Sequence, residues 1–486
     1  MATNSTAQYY VHPSGNDTNG GGFDSGISGA GTNYADQDTA QLALTGLTCA
    51  QNGTQLTATN GTFNSSHVGN AIQITAGTNF LLDIYWVTGY DATNGAYVTL
   101  DRTPCTAGAG SAGTGNLGGA LATLKCLSNG GSGLPSNPLN TKTQIVAGNI
   151  INVKGSGSLD PSISSPDYDF SAGYWQFPNG TSTKPIQFIG YNGRPCVKFS
   201  GLLFYTMTGV ILTHFKWFAA SPPVYTVYGV AYGGAISAAT LCTDSIFDQN
   251  GQDCTMWGAS NLYNCEFRNS GSTTTGTRMS ILSNAFPLVI IGCYIHSQRF
   301  NAIDSGSGTT GEFTLISCNL IVNNKGAGLI LQSSQSYGVT VLNNTIDGNT
   351  GDGIKIASNN TCASPTILNN ILSNNGGYGI DATVGSTSLF AALPIDYNCF
   401  YNNTSGARNG INAGPHDQTN VNPQYANSAS GNYAVGNASL QGVGFPGTLS
   451  GSGSTGYLTP GAIQPSASGG SSGPFGLLST TLIAPQ

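Results

Sequence analysis

Charged side chains are scarce in this chain. Asp, Glu, Lys and Arg make up 7% of its 486 residues, against about a quarter in an ordinary soluble domain. The net charge is −7 at pH 7 and no run of Lys and Arg occurs, which excludes the basic surface that nucleic-acid binding requires. No apolar run approaches the roughly 20 residues of a membrane-spanning helix, so no membrane span is expected.

The features of disulfide-rich, metal-binding and secreted proteins are also missing. The 11 cysteines are an odd number and none forms a C-x-x-C pair, so they indicate buried small hydrophobic residues rather than a disulfide framework or a metal site. Residues 1–8 have neither the basic nor the apolar region of a signal peptide. We therefore expect folding in a reducing cytosol, with no metal and no cofactor.

Glycine is abundant, with 69 residues, and a repeat ends in pairs of asparagines. Its anchors Asn319, Asn344 and Asn370 recur at a nearly constant interval along the chain. Nine residues after each anchor stands a glycine, in turn Gly328, Gly353 and Gly379. Apolar residues alternate over a few positions and then stop, which indicates short strands rather than helices. A fixed period of this size predicts a parallel β-solenoid whose coils stack about 4.8 Å apart.

The columns of the repeat stay in step through several coils. We predict a structural ladder of Cys265, Cys293, Asn319, Asn344, Asn370 and Asn398. A second asparagine column follows five residues later, at Asn324, Asn349, Asn375 and Asn403. An inward Asn can bond the corner backbone and the Asn of the next coil, while a thiol fills the same slot without an unpaired amide. An Asn-rich linker with chance spacing, the alternative, does not explain columns that stay in register.

Other segments frame the solenoid. Alternating strands between about residues 45 and 105 predict a small antiparallel β-module. We predict an N-terminal opening segment or cap at 1–44, the module at 45–119 and the parallel β-helix at 120–412. A C-terminal cap follows at 413–448, and a Gly/Ser-rich tail with an apolar end at 449–486.

Several motifs resemble those of one superfamily. The opening Tyr-Val-His-Pro-Ser-Gly-Asn-Asp at 10–17 looks like the first motif of right-handed parallel β-helix proteins of the pectin-lyase-like superfamily. Segments 148–155 and 185–191 resemble its first coils. Segments 396–398 and 422–425 resemble its C-terminal cap, although Asn422 stands where an acidic residue is usual.

The inserted module and the ending resemble members seen in phage and environmental bacterial sequences. The resemblance covers nearly all of the chain. It implies an all-β fold class, namely a right-handed parallel β-helix (solenoid) with a small inserted antiparallel module and a C-terminal cap and tail. It leaves activity open, because the superfamily includes lyases, hydrolases, tailspikes and inert scaffolds.

Hydrolysis of a polysaccharide on such a rod needs two carboxyl groups, about 5–5.5 Å apart for retention or about 6.5–9.5 Å for inversion. The best outward column, eleven residues after the anchor, contains Asp304, Lys355 and Asp381. These three are the catalytic candidates. Asp304 and Asp381 would lie three coils, roughly 14 Å, apart, which is too far for either geometry. Lys355 lies between them, so a surface ion pair with Asp381 is the favoured interpretation.

Aromatic side chains of the early coils are candidates for ligand binding, chiefly Tyr174, Trp175 and Trp217. Flat aromatic rings can stack on the faces of sugar rings. The same rings could instead plug the first coils or form a subunit contact. The apolar residues near Pro222 and Pro223 favour this second interpretation.

The sequence favours a non-enzymatic structural protein on the exterior of a phage virion: a head decoration, fibre or spike that could also bind a glycan or receptor. It would assemble in the host cytoplasm. Its expected partners are copies of itself in a trimer, other virion proteins and a host surface glycan, but no nucleic acid. One alternative is a tailspike-type polysaccharide depolymerase, either hydrolase or lyase. The other is a bacterial cell-surface adhesin or filament subunit on the extracellular surface.

Overall fold

The computed structural model divides the chain into two compact units, Met1–Phe199 with Leu203–Lys216, and Ser200–Leu202 with Trp217–Gln486. It describes the following residues: 6–60, 62–93, 97–127, 145–170, 178–181, 183–199, 209–219, 226–227, 230–231, 240–248, 256–257, 260–269, 279–282, 288–305, 314–331, 338–356, 365–382, 394–446 and 458–464.

In the first unit, the opening motif forms the first strand of a parallel sheet. Residues Tyr9 and Val11 point inward from it and are buried, as the alternation of a strand requires. The parallel strands of this sheet are, in spatial order, Gln8–Val11, Ile150–Lys154, Ile186–Tyr191 and Val210–Thr213. Gly22–Phe23 pairs antiparallel with the first of them, and Tyr168–Phe170 pairs parallel with Cys196–Phe199 in another sheet. The segment 12–149 is thus an insertion between two neighbouring strands.

This insertion carries the antiparallel module. Its six strands are, in spatial order, Leu42–Cys49, Gly110–Leu117, Ala71–Thr78, Ile84–Asp91, Tyr97–Leu100 and Gln55–Leu56. Short 3-10 turns occupy Ser65–His67 and Leu124–Leu127. Side chains such as Leu47, Ile72 and Phe63 form a hydrophobic core of the module's own. The module can therefore bury apolar surface without the solenoid.

The second unit consists of three parallel sheets, and successive strands of each coil lie in different sheets. Lys216–Ala219 is a further short strand. The first sheet contains Thr240–Thr243, Ser260–Tyr263, Leu288–Ile291, Thr314–Ser317, Val339–Leu342, Thr366–Leu368 and Ile395–Asp396. The second contains Ile246–Asp248, Glu266–Arg268, Tyr294–His296, Leu320–Val322, Thr345–Asp347, Ile371–Ser373, Cys399–Tyr401 and Gln418–Thr419. The third contains Met256–Trp257, Met279–Leu282, Asn301–Asp304, Leu329–Leu331, Ile354–Ile356, Tyr378–Asp381 and Gly406–Asn409. A short hairpin pairs Thr226–Val227 with Val230–Ala231. This is a parallel β-helix, so the predicted fold class is confirmed.

The asparagine pairs form the corners between the first and second sheets. In each pair the first residue takes a left-handed backbone, with φ of 54° at Asn343 and 63° at Asn369, a conformation that Asn tolerates better than most residues. The second residue turns inward: Asn344 Nδ2 donates to Asn370 Oδ1 at 2.9 Å. Above them, Cys293 N donates to Asn319 Oδ1 at 2.8 Å. The stacked amides therefore satisfy one another and the corner backbone inside the rod.

The C-terminal residues 421–446 and 458–464, here called the C-terminal strap, lie against the outer face of the second sheet. Tyr433, Ala462 and Ile463 pack on Leu320 and Val322. The strap contains a hairpin, Tyr425–Asn427 with Asn432–Val435, and 3-10 turns at Ser428–Ser430 and Ala438–Leu440. Residues 458–464, predicted as part of a linker-like tail, are buried, because they cover outward aliphatic side chains that water would otherwise reach.

One carboxylate is buried beside the strap. Asp347 is 6% exposed, and its Oδ1 accepts hydrogen bonds from Ser373 Oγ at 2.6 Å and Asn374 Nδ2 at 2.8 Å. The Ser373 hydroxyl also contacts the Tyr425 hydroxyl at 2.8 Å. Burial raises the pKa of Asp347 above its ordinary value of 3.8, so the folded chain holds this proton more tightly than the unfolded chain.

The stability that this proton contributes is present below pH 3.8 and is lost as the pH rises through the folded-state pKa. We expect Asp347→Asn to increase the free energy of unfolding at pH 7 and to change it little at pH 3.5, because an amide oxygen can still accept both hydrogen bonds. Urea unfolding at the two pH values measures this difference. Asp91→Asn is the control: hydrogen bonds from Thr93 lower the pKa of Asp91, so no gain at pH 7 is expected. At each pH, the free energy of unfolding of Asp347→Asn is compared with that of the wild type. The prediction is contradicted if the substitution is less favourable at pH 7 than at pH 3.5.

Candidate functional site

The predicted catalytic column lies on the third sheet. Asp304 pairs with Ile330, Ile330 with Lys355, and Lys355 with Asp381. Both aspartates are buried, and Asp381 Oδ1 accepts a hydrogen bond from Asn409 Nδ2 at 3.2 Å. The two carboxyl groups are thus separated by three strand spacings, or roughly 14 Å, and the structure does not bring them together as an acid pair.

The aromatic candidates do not form a sugar platform among the described residues. Trp217 is 1% exposed, so its ring packs inside the protein and offers no face to a ligand. The proposed ligand-binding role of Trp217 is therefore not supported. Tyr174 and Trp175 lie outside the described residues.

A cluster that the sequence analysis missed lies on the outer face of the second sheet. It consists of Asp248, Glu266, Arg268, Tyr294 and His296, here called the three-coil cluster. The guanidinium of Arg268 donates to the Asp248 carboxylate at 2.9 Å and to Glu266 Oε1 at 2.9 Å. His296 Nε2 lies 3.1 Å from Glu266 Oε1, and its ring stacks on that of Tyr294 with centroids 4.0 Å apart.

The electrostatics of this cluster favour an ion network over a proton donor. Burial by itself would raise the pKa of Glu266, but the hydrogen bond from His296 and the charge of Arg268 hold that pKa below its ordinary range. A hydrolytic acid must instead keep its proton near neutral pH. Glu266 is therefore suited to the role of a base or an ion-pair partner, and Arg268 partly neutralises both carboxylates.

Irregular spacing hid this cluster in the sequence. The left-handed corner residues of these coils are Asp244, Asn264 and Gly292, and the first interval between them is clearly shorter than the second. The regular coils, in contrast, keep the nearly constant interval of their asparagine anchors. In the structure, Asp248 lies opposite Arg268, and Arg268 lies opposite His296. A constant residue spacing along the sequence does not predict these pairings.

A cavity of about 320 Å³ opens beside the last strand of the first sheet; it is here called the Tyr397 pocket. Its described lining residues are Leu368, Pro394, Ile395, Asp396, Tyr397, Ile411, Asn412, Ala413, Gly414, Pro415 and Phe445. The Phe445 ring meets that of Tyr397 edge-on at 5.5 Å. Phe445 is 45% exposed, so part of its ring remains open to solvent or to a ligand. The pocket therefore joins an aromatic wall to polar groups at the surface.

Asp396 holds this wall in place. Its Oδ1 accepts hydrogen bonds from the backbone N of Tyr397 and of His416, both at 2.8 Å. Its Oδ2 lies 2.7 Å from His416 Nδ1, so the hydrogen-bond network assigns a proton to that nitrogen. The imidazole stacks on Tyr397 at 4.3 Å with an interplanar angle of 9°, and the His416 side chain is 53% exposed. One carboxylate thus orients two stacked rings.

Sequence reasoning assigned these residues to the C-terminal cap and gave them no functional role. Tyr397 and Phe445 are distant in the sequence, and they meet only because the strap folds back. Within the described ranges, no group of three His, Cys, Asp or Glu residues could hold a metal ion. The same ranges contain no helix long and apolar enough to cross a membrane.

Comparisons with known proteins address the fold. Residues 237–438 match the family model described as a right handed beta helix region. A solved pectate lyase is similar at 12% identity over 65% of this chain and 88% of that chain, with a TM-score of 0.41. A periplasmic alginate epimerase is similar at 12% identity over 56% and 76%, with a TM-score of 0.30. A polysaccharide lyase from Pseudopedobacter saltans is similar at 11% identity over 60% and 92%, with a TM-score of 0.27.

No curated protein matches this chain. The structural likenesses concern the fold alone, at identities of 11% to 12%. Together, the stacked parallel strands and the matching family model show that this chain folds as a right-handed parallel β-helix.

Proposed function

We propose that this chain is a glycan-binding β-helix protein and that the Tyr397 pocket is its binding site. One observation carries the proposal: a surface cavity of about 320 Å³ is walled by Tyr397 and Phe445 and edged by Asp396. Ligand pockets in proteins measure roughly 300–1,000 Å³ and combine apolar walls with a few placed polar groups. This cavity is at the small end of that range, which suits one or two sugar rings.

The lining favours a neutral sugar. The C–H face of a pyranose can pack on the rings of Tyr397 and Phe445, and its hydroxyl groups can donate to the Asp396 carboxylate or exchange hydrogen bonds with the Asn412 amide. None of the described lining residues is Lys or Arg. An acidic sugar would therefore bring its carboxylate close to Asp396 without a compensating cation.

The setting that we propose is the exterior of a phage virion, with the chain as a non-enzymatic decoration, fibre or spike of the phage-associated β-helix type. The low charge content supports this setting, since hydroxyl- and amide-rich surfaces suit both glycan contact and packing against other subunits. A homotrimer and contacts with other virion proteins belong to the same proposal. Light scattering of the purified chain tests the trimer, and a monomer mass contradicts it.

Binding to neutral oligosaccharides tests the site. We expect the wild-type chain to bind at least one glycan of a neutral-hexose array. Phe445→Ala should raise the dissociation constant for that glycan at least tenfold, since a buried aromatic contact contributes about 1.5–3 kcal/mol. Calorimetry with the isolated glycan gives the constant. Tyr397→Ala should have a similar effect. Leu159→Ala removes another exposed apolar side chain, outside the pocket, and should bind as the wild type does. Unchanged binding by both pocket variants contradicts the proposal.

A second candidate, polysaccharide cleavage, is favoured by the three-coil cluster, in which the carboxylates of Asp248 and Glu266 meet at one guanidinium. Incubation with capsular polysaccharide and lipopolysaccharide glycans, followed by assays for new reducing ends and unsaturated products, tests this activity. Cleavage that Glu266→Gln abolishes would establish the second candidate over the first. An absence of products, or cleavage that persists in Asp248→Asn and Glu266→Gln, argues against this cluster as a catalytic site.

A further inference from the structure

Two thiols of the antiparallel module are neighbours in space although they are distant in the sequence. Cys49 is the last residue of the strand Leu42–Cys49, and Cys105 lies in the loop before the strand Gly110–Leu117. Both are buried in the hydrophobic core of the module, neither is in a disulfide, and each thiol shifts the pKa of the other. The two sulfur atoms are therefore within reach of each other.

The surrounding backbone holds both thiols in this position. Gly110 pairs with Cys49 across the antiparallel ladder, and a Cβ atom on Gly110 would collide with Cys105 Sγ. Glycine at this position leaves the space that the second sulfur occupies. The Cys105 carbonyl accepts a hydrogen bond from Asn52 N at 2.8 Å, which ties the Cys105 loop to the turn that follows Cys49.

We propose that Cys49 and Cys105 form a disulfide when the folded chain meets a small-molecule disulfide outside a reducing cytosol. The thiolate of one cysteine attacks a sulfur of the oxidant RSSR, forming a mixed disulfide and releasing RS⁻. The second thiolate then attacks the protein sulfur of that mixed disulfide and releases a second RS⁻. The two cysteines lose two protons and two electrons, and one RSSR becomes two RSH.

The bond closes the segment between Cys49 and Cys105, which contains most of the module's strands. Such a closure restricts the unfolded chain and stabilises the folded one.

The bond should form slowly, because burial raises the pKa of Cys49 to about 12 and also raises the pKa of Cys105. Only the thiolate reacts, so the rate should increase about tenfold for each pH unit below these pKa values. The inference goes beyond glycan binding and does not depend on it.

Thiol counting on the full chain tests the proposal. After incubation with oxidised glutathione at pH 7 and pH 9, small-molecule disulfide is removed and thiols are counted in denaturant. The count should decrease from the 11 cysteines of the chain to about 9, faster at pH 9, and peptide mapping should find Cys49 joined to Cys105. The oxidised module should unfold at a higher urea concentration than the reduced module.

The chain provides a matched internal control. Cys265 and Cys293 are also buried, and they directly precede Glu266 and Tyr294, which pair across neighbouring coils. They lie within the solenoid ladder, however, where Cys265 Sγ donates to Cys242 O at 3.5 Å. Peptides linked through that pair rather than through Cys49 and Cys105 overturn the proposal, as does a chain that keeps all its thiols. Cys49→Ser and Cys105→Ala should each abolish the loss of two thiols. If either variant does not fold, the mapping of the wild-type chain still decides the question.

Discussion

Replacing Asn344 by alanine is expected to lower the free energy of unfolding of the second unit by about 3–5 kcal/mol, because several buried polar groups lose their partner at once. The side chain of Asn344 makes five hydrogen bonds. Its Oδ1 accepts from the backbone N and from Nδ2 of Asn319, each at 2.9 Å. Its Nδ2 donates to Ile316 O, Leu342 O and Asn370 Oδ1 at 2.9–3.0 Å. Alanine can offer none of these bonds, and the site is closed to water.

Urea unfolding of the variant followed by circular dichroism measures this loss. Asn427→Ala is the matched control, because Asn427 is exposed and its side chain makes no capping hydrogen bond; we expect a change within about 0.5 kcal/mol. If the two variants lose equal stability, the stacked amides do not hold the coils together. The ladder would then be a consequence of the fold and not one of its causes.

Replacing Gly353 by alanine is expected to cost about 2–3 kcal/mol, the usual range for overpacking an interior. A Cβ atom at this position would lie 2.7 Å from Gly379 O, 2.9 Å from Leu372 Cδ2 and 3.1 Å from Asn375 Nδ2. Backbone of the next coil cannot move aside without stretching the hydrogen bonds between coils. The glycine that recurs nine residues after each anchor is thus explained by the close approach of neighbouring coils rather than by a special backbone angle.

Gly338→Ala is the control for this variant, since a Cβ atom there meets nothing within 4 Å. It should be neutral or slightly stabilising, because alanine restricts the unfolded chain more than glycine does. The two variants are compared by the urea concentration at which half of the protein is unfolded, provided that the free energy of unfolding depends on urea concentration with the same slope in both. A Gly353→Ala variant as stable as Gly338→Ala would show that the coils have room to separate, contrary to the packing described here.

Much of the second unit was predictable because its requirements are local and repeated. Asn343 and Asn344 show why an asparagine pair recurs in each repeat. The first residue takes the left-handed backbone of the corner, and the side chain of the second fills the interior. Gly353 shows why the glycine keeps its distance from the anchor. Each requirement involves a few neighbouring residues and the same position one coil away, so a period in the sequence is enough to reveal it.

The candidate sites were not predictable in this way. Asp248 and Glu266 come together only when the short coil between Asp244 and Asn264 is placed in register. Tyr397 meets Phe445 only because the strap returns along the rod. Cys49 and Cys105 become neighbours through antiparallel pairing inside the module. None of these contacts repeats, so no periodicity marks them.

The sequence by itself determined the stacked coils of the second unit, because every inward position there must satisfy the same packing and hydrogen-bonding conditions as its neighbours above and below. Only the tertiary structure decided which outward side chains face one another and where the C-terminal residues lie. Outward positions are free of those repeated conditions, and contacts between distant segments depend on chain paths that a local pattern does not encode.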